Sequence, residues 1–192
     1  MTSRRTRRIL LLLVLAATSA CLSQPASADD VRIEDRLLAV SSRLRLALSL
    51  SSFAVYAPSV GDLHLHAQQI VNLLEGNEGP QYVPREGTDE VVRGLRADVS
   101  GLVDSLDRAP IEPETRMRIA AATRNMTSYL AMALDAALTA LKQRRLEAAS
   151  EEMRKVYAFL AAAYERPAGY ASVPGLWTIL RVYGLDTTGE ET

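Results

Sequence analysis

The chain has 192 residues, a formal net charge of −1 and an apolar share of 48%, enough for one folded core. A near-neutral composition with no basic stripe argues against nucleic acid as a partner, because such binding needs clustered Lys and Arg to neutralise phosphates. Cys21 is the only cysteine, so an intramolecular disulfide is excluded and packing alone must hold the fold.

Residues 1–28 follow the order of a secretory signal: Arg4, Arg5, Arg7 and Arg8, then an apolar run from Ile9 to Ala17, then Ala26-Ser27-Ala28 before the cleavage point. The apolar run is shorter than the roughly 20 residues that a membrane-spanning helix needs. No transmembrane span is therefore expected in the mature chain. Removing the four arginines of this segment takes the formal charge from −1 to −5. The alternative is a lipoprotein signal over 1–20 with a lipid anchor on Cys21. Thr18 stands three residues before that cysteine, where such signals favour Leu, so free secretion is preferred. Either way the expected location is the periplasm, the cell envelope or the exterior, with 29–186 as a single domain and 187–192 as a disordered tail.

The first helix is predicted over 31–56. Ile33, Leu37, Val40, Leu44, Ala47, Ser51 and Ala54 recur at steps of four and three, and a second seam of Leu38, Ser41, Arg45, Leu48, Ser52 and Val55 runs beside it. Two seams predict more than one packing partner. Asp29 or Asp30 is the expected N-cap and Pro58 the stop. A second helix over 60–75 opens on Ser59 and Asp62 and closes at Gly76. The glycine- and proline-rich stretch 76–87, with Tyr82, reads as a loop.

Thr88 is the expected cap of a third helix whose seam is Val92, Leu95, Val99, Leu102 and Leu106. Pro113 suits the first position of a fourth helix. Between Glu114 and Arg166 there is no Gly or Pro, yet one helix of that length would run about 80 Å at 1.5 Å per residue. A turn is placed at 143–145, where the alanine-rich pattern ends, giving helices over 113–142 and 146–165. After a linker over 167–175, Leu176, Trp177, Leu180 and Tyr183 suggest a short terminal helix that lids one end. The fold class is all-α: an antiparallel four-to-five-helix bundle with a short C-terminal helix.

The densest polar run lies on the second helix. His64, Gln68 and Asn72 fall at i, i+4 steps along one edge, with Glu75 close in azimuth and about 16 Å further along the axis than His64. His64 lies about 70° from the centre of the apolar stripe on one side and His66 about 90° on the other, so the imidazoles diverge. Such an edge serves either as a hydrogen-bonded rim of a helix interface or as a ligand site completed by another helix. Arg45, on an apolar seam, either pairs with a buried acid or lines a cleft for an anionic ligand.

A metal reading takes His64 or His66 with a methionine such as Met126, holding copper or haem b. In fold class the chain resembles exported b-type cytochromes, which implies His and Met axial ligands. It has no Cys-x-x-Cys-His for covalent haem and no Glu-x-x-His for a ferritin-like carboxylate site. It also lacks Gly-x-Ser-x-Gly, His-Glu-x-x-His and a phosphate loop. The leading expectation is a non-enzymatic binding or interaction protein without cofactor, whose partner is a small ligand or an envelope protein. A haem or copper carrier is the alternative.

Overall fold

The three-four stripes become six α-helices among the residues that the computed structural model describes, 28–84, 93–164 and 174–185. They are α1 (Ala28–Val55), α2 (Val60–Glu75), α3 (Leu95–Arg108), α4 (Pro113–Lys142), α5 (Leu146–Tyr164) and α6 (Leu176–Val182). Residues 1–27 of the expected signal, the cap Thr88, the seam residue Val92, most of the 167–175 linker and the C-terminal tail lie outside the described residues.

Local chemistry sets most of the boundaries. Ser59 is extended (φ −139°, ψ 159°), and its hydroxyl accepts from the Asp62 amide at 3.1 Å while donating to the Asp62 carboxylate at 2.6 Å. Pro113 occupies the first position of α4, where a missing N–H costs nothing. The turn at 143–145 separates α4 from α5 as expected. At the other end, α1 is already helical at Ala28, so Asp29 and Asp30 lie inside it and not at its cap.

α1 packs on α2 and α5, and α4 packs on the same two, so these four helices close a bundle with the two longest members on opposite sides. The first seam of α1 is buried throughout, including Ser51, whose hydroxyl donates to the Leu48 carbonyl at 2.8 Å. Small residues Ala133, Ala137, Ala140 and Ala149 are buried on α4 and α5 and let these helices approach closely. Leu95, Val99, Leu102 and Leu106 of α3 are buried as read.

α2 and α3 share one column. Arg43 on α1 bonds the Leu73 carbonyl near the end of α2 (3.3 Å) and pairs with Asp98 near the start of α3. Two turns earlier, Arg36 donates to the Gly101 carbonyl (2.7 Å) and the Ser105 hydroxyl (2.9 Å) of α3. Phe53 meets His66 at the other end of α1. Moving back along α1 therefore runs forward along α2 and then along α3, so both are antiparallel to α1 and follow one another.

Two glycines make the junction. Gly76 ends α2 at φ 75°, ψ 179°, with its N–H on the Asn72 carbonyl at 2.8 Å, and it bridges to Arg93. Gly94 starts α3, and a Cβ there would fall 2.2 Å from the carbonyl carbon and oxygen of Glu75. This close approach requires a residue without a Cβ at position 94, the cap from which α3 starts at Leu95. Gly76 and Arg93 therefore meet at the point where α2 gives way to α3.

The opposite column is also divided. α5 ends at Tyr164 beside Arg45 of α1. α6 then packs mainly along α4, with the Pro174 carbonyl accepting from Asn125 at 2.8 Å. It lies against the flank of α4 and does not cap an end of the bundle. Its buried residues are Leu176, Ile179 and Leu180, while Trp177 is half-buried under the Arg181 guanidinium at 4.6 Å. The second seam of α1 is filled unevenly as a result. Leu48, Ser52 and Val55, opposite α5, are half-buried; Leu38, beyond its end, is exposed.

Candidate functional site

The polar edge of α2 is assembled as the sequence suggests, but what it holds is the chain's own backbone. Gln68 Nε2 donates to Asn72 Oδ1 and to the Gln81 carbonyl, both at 2.9 Å. Asn72 clamps Val83 from both sides, donating to its carbonyl at 2.7 Å and accepting from its amide at 3.1 Å. Glu75 Oε2 accepts from the Gln81 amide at 2.9 Å. These three side chains satisfy the main-chain groups of an irregular segment that has no helix or sheet to pair with. Gln81, Val83 and Pro84 keep their side chains exposed.

His64 belongs to a different contact. Its Nε2 lies 3.1 Å from the Gln143 carbonyl, and since a carbonyl only accepts, the ring must donate there. It ties the start of α2 to the turn between α4 and α5. His66 Nδ1 lies 3.1 Å from Gln69 Oε1, and its ring sits 6.0 Å from that of Phe53 on α1. The two histidines diverge, as their azimuths require.

The set His64, His66 and Met126 does not come together. Met126 is buried in α4, 17 residues before Gln143, which is about 25 Å along a continuous helix. His64 is bonded at the Gln143 end, and His66 lies less than one turn further along α2. Neither imidazole can share an ion or a haem iron with Met126. Among the described residues no three His, Cys, Asp or Glu side chains gather into a metal-sized group.

Arg45 is also apart from the polar edge, on the side of α1 that faces α5. Its guanidinium donates to the Tyr164 hydroxyl at 3.0 and 2.8 Å and stands 5.6 Å from the ring centre. The partner is a phenol, and the acid-paired arginine is its neighbour Arg43, bound to Asp98 with both side chains about four-fifths buried. A rotation of about 200° over two helical residues puts Arg43 and Arg45 on opposite sides of α1, towards different columns.

A feature without a polar signature was not picked out from the sequence. On α1, Leu46 and Phe53 are two turns apart on one face, and they are 51% and 61% exposed. On α2, next in sequence to the His66 that Phe53 touches, Leu65 is 53% exposed. Its azimuth lies opposite the buried stripe Leu63, Ala67, Ile70, Val71 and Leu74. Tyr56, at the tip of the same hairpin, is 84% exposed. α1 is also apolar enough over Arg32–Val55 to pass for a membrane span by length and composition, although only 33% of that window is buried inside the fold.

No family model, no curated protein and no solved structure matches this chain. The reading of its surface therefore rests on the residues themselves. Isolated exposed apolar residues are ordinary, but large ones sharing a flank mark a contact surface. The signal that was available in the sequence is the phase of Leu46, Phe53 and Leu65: each is a large apolar residue where an amphipathic helix normally places a charge.

Proposed function

We propose that the chain is an exported, non-enzymatic interaction module that engages an envelope or extracellular protein through the apolar α1–α2 flank. The observation that carries this reading is the exposure of Leu46 and Phe53 on one face of α1, with Leu65 exposed on α2 next in sequence to the His66 that Phe53 meets. Two further observations support it. Gln68, Asn72, Glu75 and His64 are occupied by main-chain groups of the same molecule, which leaves them little capacity for chemistry on a substrate. Residues 1–28 carry the basic, apolar and small-residue order of an export signal.

Site-specific photo-crosslinking in the exporting cell tests the proposal. A photoreactive residue at Phe53 or Leu65 is expected to give a discrete protein adduct. The same residue at Asp135, an exposed polar position on α4, serves as the control. Equal adducts from all three positions, or none from the first two, contradict the reading. Export is checked on the same material: an N-terminus at Asp29 agrees with free secretion, and an acylated Cys21 makes the protein a lipoprotein.

A further inference from the structure

At the end of the molecule away from the α4–α5 turn, α3 and α4 part to leave a groove of about 310 Å³. Its floor is apolar: Leu106 and Ile119 are buried, and Ile111 is half-buried. Thr123 belongs to the same floor, because its hydroxyl donates back to the Ile119 carbonyl at 3.0 Å and its polar edge is turned into its own helix. The volume is at the low end of small-molecule sites, which run from about 300 to 1,000 Å³.

Two arginines stand on this lining, and neither has a carboxylate partner among the described residues. Arg116 is held in place by the end of α3, donating to the carbonyls of Asp107 (2.9 Å) and Ala109 (2.8 Å), where its charge offsets the negative end of the helix dipole. Arg124 is different. Only its Nε is engaged, with the Ala120 carbonyl at 3.2 Å, so its two terminal nitrogens keep their donors. The one carboxylate on the lining, Asp107, is at the α3 end beside Arg116, which leaves Arg124 as the cationic end of the groove.

An apolar trough with a cationic fork at one end suits a molecule of matching polarity. We infer that the α3–α4 groove binds a small aliphatic carboxylate, with its chain on Leu106, Ile119 and Thr123 and its carboxylate bidentate on Arg124. The site is separate from the α1–α2 flank, so either assignment can fail without the other.

Calorimetric titration of the purified chain with sodium octanoate, and with octan-1-ol as the uncharged counterpart, tests it. Two variants are used at exposed positions, Arg124→Gln and Ala120→Phe, so that both retain the parent melting temperature. Octanoate should bind saturably and stoichiometrically. Arg124→Gln should weaken octanoate by about tenfold or more while leaving octanol unchanged, as the loss of a charge-assisted pair entails. Ala120→Phe fills the trough and should abolish both. The proposal is overturned by the absence of saturable octanoate binding, by an Arg124→Gln variant that binds octanoate as the parent does, or by an Ala120→Phe variant that still binds it.

Discussion

The polar edge of α2 and the exposed apolar residues of the α1–α2 hairpin present opposite cases. The edge, facing the 81–83 segment and the α4–α5 turn, has the composition of a binding site: a histidine, two amides and a carboxylate on one line. Every one of those groups meets a backbone amide or carbonyl of the same chain. Leu65, on the outward face of the same helix, and Leu46 and Phe53 on α1 are residues of core type left in solvent. Polar residues in a row are as well suited to holding an irregular chain segment as to holding a ligand. Unburied apolar residues have no such internal use, because exposing them to water forgoes about 25 cal/mol for each Å² of apolar surface.

The scale for any variant of these flanks is set by the core between them. Leu95→Asp and Leu102→Asp each place a carboxylate among fully buried side chains and should cost several kcal/mol, enough to unfold the bundle. Circular dichroism melts of both variants check this, and unchanged melting would mean that α3 does not pack on α1 and α4 as described.

A smaller effect separates the flanks. Asn72→Ala removes three hydrogen bonds to Gln68 and Val83 and should destabilise the protein by about 2 kcal/mol, the groups being partly exposed. Hydrogen exchange gives the local readout: the Val83 amide should lose its protection in this variant while α4 amides keep theirs. A stability equal to the parent would return the polar edge to the list of ligand sites.

His64→Ala should cost about 1 kcal/mol by releasing the Gln143 carbonyl. His66→Ala, whose ring meets a side-chain amide and Phe53, should cost less. Chemical denaturation midpoints of the two variants order them. If His66 proves the more important, the tie between α2 and the α4–α5 turn has been overvalued.

Much of this architecture was legible because helical periodicity is a local property. The first seam of α1, the four described seam residues of α3, the Ser59–Asp62 cap and the turn at 143–145 all follow from spacing and composition. The partners of the polar edge were not legible, since Gln68, Asn72 and Glu75 bind main chain, and a backbone amide has no sequence signature. The start of α3 was misplaced for a related reason. Gly94 is there because Glu75 approaches it within the space of a methyl group, a contact between residues 19 positions apart. Arg45 reads as a charge on an apolar seam, yet Arg43, two residues before it, is the one that meets an acid. Which of them finds an acid depends on where α3 sits, and the column shared by α2 and α3 is visible only in three dimensions.

The claim that the polar edge of α2 is structural and the exposed apolar residues of the α1–α2 hairpin are free is tested most directly by one paired measurement: urea unfolding of Gln68→Ala/Asn72→Ala beside Phe53→Asp/Leu65→Asp. The first should lose about 2–3 kcal/mol, because the 81–83 segment comes free. The second should stay within about 1 kcal/mol of the parent, because both side chains are more than half exposed and only the Phe53–His66 ring contact is given up. A flank variant that is destabilised as much as the edge variant, or an edge variant as stable as the parent, contradicts the account.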